Sequence, residues 1–238
     1  MKISILGFGE VGRAIAELYD SPSIKDLERD DGLENSNILN ICIPFSEKFI
    51  ETVSNEIIEI KPDLTIIHST VMPGTTKVIS KIIDLPIVHS PIRGKHPNLH
   101  PDIIKFVKYI GSDDDKSSEL AKNHLESLGI SVKVLSNSKT TELGKLLSTT
   151  YYGIVIAWHG EMKKLCDKLG IDFDEAVTDF NKTYNSGYNK LEISNVIRPV
   201  LYPPDGKIGG HCITQNAKLL EQLFESPALD LIQEYNEN

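Results

Sequence analysis

Apolar positions recur in short blocks along the first half of the chain. Lys2–Leu6 carries Ile3, Ile5 and Leu6 and predicts a strand. From Gly9 to Tyr19, Val11, Ala14, Ile15 and Leu18 fall on one face of a helix. Ser23–Leu27 reads as a shortened second strand, and Asn37–Ile43 as a buried strand ended by Pro44. Glu47–Ile60 is helical, with Phe49, Ile50, Val53, Ile57, Ile58 and Ile60 apolar and Pro62 beyond its end. Leu64–His68 is the next strand, followed by a Pro73-Gly74 turn and a helix over Thr75–Ile83. Ile87–His89 and Phe106–Ile110 are two more strands; a helix over Lys116–Leu128 and a strand over Ser131–Leu135 close this half. Strands alternating with helices imply βαβ units and a mostly parallel sheet.

The texture then changes. Between Thr140 and Leu169 only Gly144, Gly153 and Gly160 interrupt a helical pattern. Tyr151, Ile154, Val155, Trp158, Met162 and Leu165 recur at spacings of a helical face. A helix of about 30 residues exceeds the globular average and suits a spine between domains or a face for a second subunit. Further helix is predicted at Asp174–Asn181 and Thr214–Phe224, with a loop rich in Pro and Gly from Arg198 to Gly210. The expected division is an α/β domain over residues 1–139 and an all-helical domain over residues 140–238, built on the long helix.

Composition narrows the classes. The 238 residues are 40% hydrophobic, enough for a core, and carry a formal net charge of −9, which argues against a broad footprint for nucleic acid. The longest apolar runs, Ile38–Phe45 and Tyr151–Trp158, fall short of the roughly 20 residues of a membrane span. No secretory pattern follows Met1-Lys2. Cys42, Cys166 and Cys212 form neither a disulfide framework nor a metal knuckle, so no metal is expected. The expectation is a soluble cytoplasmic protein acting on a small molecule, with no nucleic acid or membrane partner.

Gly7-Phe8-Gly9-Glu10-Val11-Gly12 is a GxGxxG run after a strand and at the mouth of a helix. Gly7 permits the tight turn, Gly9 lets a pyrophosphate approach the backbone, and Gly12 allows helix and strand to pack closely. The helix N-terminus, at Glu10 and Val11, then offers backbone N–H groups and the positive end of its dipole to the phosphates. This points to a Rossmann-type dinucleotide-binding domain. The fingerprint places a ribose-binding acid about 20 positions on. Asp26, at the end of the shortened strand, is the first candidate, with Asp30 and Asp31 as alternatives and a solvated acidic loop as the plain reading. An acid here favours NAD over NADP, while Lys25 and Arg29 nearby pull the other way.

Several stretches together resemble the nucleotide-sugar dehydrogenases, the UDP-glucose/GDP-mannose dehydrogenase family. Asn40-Ile-Cys-Ile-Pro44 is similar to that family's strand ending in a Val-Pro pair. Ser69-Thr70-Val71-Met72-Pro73-Gly74-Thr75-Thr76 resembles its STVPPGTT segment, and Ser90-Pro91 its SPE loop. Glu142-Leu-Gly-Lys145 matches its ExxK, and Gly209-Gly210-His211-Cys212-Ile213 its GGHCI motif. The resemblance implies an NAD-dependent oxidation of a primary alcohol through a cysteine thiohemiacetal. Carried over by position, Cys212 is the nucleophile, Lys145 stabilises charge on the substrate oxygen, and Thr70 lies near the nicotinamide. Pro44 and Ser69 join the cofactor side; Ser90, Arg93, Lys95, Thr149, His211 and Asn216 join the substrate side. The reacting cleft would lie between Gly7–Gly12, Thr70, Ser90–Arg93, Lys145 and Cys212. The family's third, nucleotide-binding domain falls outside the matched stretch, and a separate chain is one possible source of it.

Departures from the pattern stand beside the matches. Four positions after the cysteine the family has an acid, and here there is Asn216, whose amide is no general base. Thr149 stands where the family has Asn, and Ile92 where it has the SPE acid. The Arg93-Gly94-Lys95-His96 loop is basic in an acidic chain and is a candidate anion site through Arg93 and Lys95. Three functions therefore stand open. They are hydride transfer through Cys212, a β-hydroxyacid-type dehydrogenase with Lys145 as acid/base and no covalent step, and a dinucleotide-binding scaffold without catalysis. A homodimer through the long helix is expected.

Overall fold

The computed structural model describes residues 1–94, 99–208 and 211–235. The chain divides into two compact units, Met1–Lys145 and Leu146–Asn238.

In the first unit the strands are β1 (Ile3–Leu6), β2 (Ser23–Asp26), β3 (Arg29–Asp30), β4 (Ile38–Ile41), β5 (Leu64–Ile67) and β6 (Ile87–His89). They form one sheet in the order β3-β2-β1-β4-β5-β6, with every pair parallel except the β2–β3 hairpin. This is the doubly wound order of dinucleotide-binding folds, with its switch point between β1 and β4. Alternation along each strand sends side chains to opposite faces. Ile3, Ile5, Ile38, Leu64, Ile66 and Val88 enter one core, which includes Ala14 and Ile15 of α1 (Glu10–Ala16). Leu6, Leu39, Ile41, Ile67 and Ile87 enter the other, against α2 (Phe49–Ile60) and α3 (Thr75–Ile83). Each core closes with side chains that are fully buried.

Helix α4 (Leu99–Lys105) adds Leu99 and Ile103 to the first core and is not predicted by the pattern. Strands β7 (Lys108–Ile110) and β8 (Val132–Val134) flank α5 (Asp115–Ser127) and pair with each other in parallel. A bridge between His89 and Gly111 ties this pair to β6. Asp114 caps α5 by accepting from the Ser117 N–H, in keeping with the acidic run at that position.

Helix α6 runs over Ser138–Leu169, starting two residues before the predicted Thr140. The second unit takes over at Leu146 and is all helical. A π-helical turn at Asp174–Asp179 continues into α7 (Phe180–Lys190), followed by α8 (His211–Glu221) and α9 (Pro227–Glu234). Gly153 and Gly160 explain two of the three glycines in α6. A Cβ at Gly153 would overlap Ile213 and crowd Ile232, and one at Gly160 would overlap the Tyr235 ring. They are bare contact points for the C-terminal helices. Tyr235 then donates to Glu161 Oε1 at 2.7 Å.

Candidate dinucleotide site and the motifs around it

The three glycines take three different roles. Gly7 sits at φ +95, and a Cβ there would stand 2.8 Å from the carbonyl carbon of Cys42, just past β4. A Cβ on Gly12 would overlap the Gly7 carbonyl oxygen, so α1 lies directly on the turn. Gly9 is exposed, with open space where a Cβ would be, and no side chain caps α1. That open space is where the fingerprint puts a pyrophosphate. Glu10 begins α1, and Val11 packs its side chain on the core, so only its backbone is available to a ligand.

Asp26 ends β2, and its carboxylate accepts from the Phe8 N–H in the glycine turn and from the Leu27 N–H at 2.6 Å. The acid and the turn are thereby held together. The alternatives are engaged elsewhere: Asp30 accepts from Gly32 N, and Asp31 holds Arg29. Phe8 lies between two guanidinium groups, Arg13 at 5.7 Å and Arg29 at 5.5 Å from its ring centroid. Lys25 is paired with Glu56 at 2.6 Å and Arg29 with Asp31 at 2.7 Å.

At the ends of β4, β5 and β6 the polar residues are buried. Ser69 donates to the Ile43 carbonyl at 2.6 Å, fixing the loop that begins at Pro44. Thr70 follows, half-buried. Ser90 is buried and donates to the Tyr109 carbonyl, while Ile92 lies in the first core where the family has an acid. Arg93 is exposed and stacked over Phe106 at 5.6 Å and Tyr109 at 5.1 Å. Lys95 and His96 lie outside the described residues.

Glu142 is fully buried and does not share an open face with Lys145. Its carboxylate accepts from Gly74 N, from Thr76 N at 2.8 Å and from Thr76 Oγ1 at 2.6 Å, capping α3. Burial raises its pKa, and the three donors oppose that rise. The first turn of α6 is thus fixed to the PGTT segment, and Lys145, half-buried, stands one turn further on.

Three buried titratable side chains, Lys108, His68 and His89, were not singled out by the sequence, and the half-buried Cys42 interacts with Lys108. Lys108 of β7 donates to the Ser90 carbonyl at 2.7 Å, and burial lowers its pKa to about 7. Burial also drives His68 well down and His89 down to about 3, with Lys108 adding to both. Cys42 is pushed up to about 12 by burial. Only the Lys of a VKYIG strand in an acidic chain, and the repeated His-Ser pair, were available as signals.

The second unit carries the remaining motif residues. Cys212 is exposed at the second position of α8, and Ile213 beside it meets Gly153. Asn216 is buried one turn later, and its Nδ2 has no hydrogen-bond partner among the described residues. Thr149 is half-buried on α6. Gly209, Gly210 and the side chain of His211 lie outside the described residues. Among the described residues no cluster of His, Cys, Asp and Glu could hold a metal, and no helix is long and apolar enough to cross a membrane.

Residues 139–238 match the model of the UDP-glucose/GDP-mannose dehydrogenase family, central domain. A UDP-N-acetyl-D-mannosamine dehydrogenase of Methanocaldococcus jannaschii is 31% identical over 219 residues, which is 81% of this chain and 48% of that one. Over residues 139–238 the chain is similar to the nucleotide-sugar dehydrogenases. The corresponding enzyme of Pyrococcus horikoshii is 26% identical over 89% of this chain and 52% of its own length. The chain therefore spans about half the length of the curated relatives it matches. Among solved structures, a UDP-D-ManNAc dehydrogenase from P. horikoshii aligns over 100% of this chain and 68% of its own, with TM-score 0.78 at 19% identity. A 3-hydroxyisobutyrate dehydrogenase of Mycobacterium tuberculosis aligns over 99% of this chain and 92% of its own, with TM-score 0.70 at 13% identity. Both share the fold.

Proposed function

We propose that the chain carries the dinucleotide-binding and helical portions of an NAD-dependent dehydrogenase acting on a primary carbinol of a sugar nucleotide or similar anionic sugar. The observation that carries this reading is the glycine turn: Gly7 and Gly12 closed against their neighbours, Gly9 open, and Asp26 tied to the turn. Gly7, Gly9, Gly12 and the backbone of Glu10 and Val11 would hold the pyrophosphate, Asp26 the adenosine ribose, and Pro44 and Ser69 the nicotinamide side. Nicotinamide, when bound, supplies the hydride acceptor. NAD is favoured over NADP because the two cations near Asp26 are already spent. Lys25 is on Glu56 and Arg29 on Asp31, which leaves the Asp26 carboxylate to repel a 2′-phosphate.

On the substrate side, Thr70, Ser90 and Arg93 of the first unit, with Lys95, are assigned to the sugar and its anionic group. Lys145 holds its ammonium toward the substrate oxygen and stabilises negative charge there. Cys212 Sγ adds to the aldehyde carbon, its proton passing to the new hydroxyl, to give a thiohemiacetal. Thr149, His211 and Asn216 flank it. The approach of Cys212 to Lys145 is itself part of the proposal. Asn216 offers no base for water attack on a later thioester, so slow acid release is expected. That same residue favours a second reading, a two-electron dehydrogenase with Lys145 as acid/base and no covalent step.

A second copy of the chain is proposed to cover α6. Leu147, Tyr151, Trp158, Leu165 and Leu169 form an exposed apolar stripe along it. Cys42, Cys166 and Cys212 form no disulfide among the described residues, which fits a reducing, cytoplasmic setting.

Calorimetry with NAD(H) and NADP(H), beside turnover on sugar nucleotides, sugars and hydroxyacids, tests the reading. NADH is expected to bind at least tenfold tighter than NADPH, and Asp26→Asn to erase the difference. Loss of the oxidation in Cys212→Ser supports the covalent route, and full activity overturns it. Binding without turnover on any of these leaves a scaffold; no binding at all ends the redox reading.

A further inference from the structure

Two His-Ser dipeptides occupy the ends of neighbouring strands, His68-Ser69 after β5 and His89-Ser90 at the end of β6. Parallel register sets Ile67 beside His89. His68 Nδ1 lies 3.0 Å from the Ser90 carbonyl oxygen, and His89 Nε2 lies 3.1 Å from the Ser69 carbonyl oxygen. Each ring therefore reaches the serine that follows the other ring. Both rings are buried, at 2% and 0% exposure. Their second nitrogens face Asn40 Oδ1 at 2.9 Å and Thr141 Oγ1 at 2.8 Å. Beyond the two serines the chain enters Thr70 on one side and Pro91–Arg93 on the other.

We propose that His68 and His89 are a reciprocal clamp that fixes the spacing of the two strand-end loops, and hence the seat of the nicotinamide end of the cofactor. They are positioning residues and touch no ligand. The inference rests on the dinucleotide reading of the preceding subsection. The chemistry makes a sharp demand. Lys108 of β7 and Lys145 of α6 face the rings with positive charge. His124 of α5 and His89 itself also act on His68, and burial outweighs all of these. Both rings are accordingly neutral, and a neutral imidazole has one N–H. The clamp then requires opposite tautomers, Nδ1–H on His68 and Nε2–H on His89. The remaining partners must turn for this. The Thr141 hydroxyl, which donates to the Ser138 carbonyl at 2.8 Å, would swing to His89 Nδ1, and the Asn40 NH2, 3.2 Å from the Ser4 carbonyl, would exchange places with its Oδ1 to face His68 Nε2.

Amide substitutions separate the clamp from ordinary core packing. Asparagine keeps a donor near the Nδ1 position and glutamine one near Nε2. If the clamp acts as proposed, His68→Asn and His89→Gln keep NADH affinity within about twofold of the parent. His68→Gln and His89→Asn lose about tenfold, the scale of one hydrogen bond. Equal losses for Asn and Gln at either position, or the opposite ranking, overturn the clamp. Nitrogen-15 NMR of the imidazoles in the unsubstituted protein reads the tautomers directly, with no dependence on variant folding. Opposite tautomers are expected, and the same tautomer in both rings overturns the proposal. If the parent protein fails to bind NADH, the dinucleotide reading falls, and the NMR result still decides the clamp.

Discussion

The strand ends of the first unit and the outer face of α6 treat burial in opposite ways. At the strand ends, polar and titratable groups go inside, and nearly all find partners: Glu142 on three donors, Lys108 on the Ser90 carbonyl, each histidine on two neighbours. On α6, large apolar groups stay outside, with Trp158 at 56% and Leu165 at 57% exposure. The first region is self-sufficient, since its polar groups need nothing further to be satisfied. The second leaves large apolar side chains in contact with solvent. Rigidity is thus concentrated where a cofactor would be gripped, and surface is reserved where a partner would sit.

Altering the glycine turn breaks the tight side of this contrast most severely. Gly12→Val is expected to unfold the first unit, a loss beyond about 4 kcal/mol, because the side chain has only the Gly7 carbonyl to enter. Gly9→Ala, with open space and φ −69, is expected to shift stability by under about 1 kcal/mol yet abolish NADH binding. Urea unfolding and NADH titration of the pair check both halves. A Gly12 variant of normal stability would show that the turn is not closely packed.

Acid comes next. In the unfolded chain a histidine gains its proton near pH 6.5, whereas folded His89 does so only at about 3, and His68 is lowered too. Between those limits the unfolded state binds more protons, so stability is full above about pH 6.5 and falls steadily below it. Each unit of pKa difference is worth about 1.4 kcal/mol per group, so the loss reaches several kcal/mol by pH 4. Lys108, lowered from 10.5 to about 7, lets stability climb again from neutral toward pH 10. Urea midpoints across pH 4–9 check the curve, and a flat profile would mean that the rings are not held neutral.

The smallest effect on stability belongs to α6. Trp158→Arg with Leu165→Arg is expected to convert the protein from dimer to monomer in light scattering. Monomer stability should change by no more than about 0.5 kcal/mol, as both positions are exposed. An unchanged mass would reject α6 as the covered face.

Much of the fold could be read ahead of the coordinates. β1, β4, β5 and β6 carry short, mostly apolar blocks, and Pro44, Pro62 and the Pro73-Gly74 turn mark where elements stop. Helix α4 was hidden because Pro97, His100 and Pro101 obscure its few apolar residues, and α7 because its one face of Phe180, Tyr184 and Tyr188 stands in an otherwise polar stretch containing Gly187. The Ser226-Pro227 start of α9, with Ser226 capping and Pro at the first turn, is a signal that the pattern reading passed over. Within the candidate site, the glycine turn and Asp26 are local in sequence and therefore legible. The His68/His89 clamp and the capping role of Glu142 depend on the register of β5 with β6 and on a contact between α6 and α3. No spacing rule encodes either.

Gly153 and Gly160 make α6 a slotted rail. Ile213 and Tyr235 seat in notches two turns apart, and the thiol of Cys212 is the immediate neighbour of the residue in the first notch. Moving that thiol along the rail would therefore need no change near the sulfur: filling one notch and opening another a turn away would carry the whole hairpin of α8 and α9 to a new height.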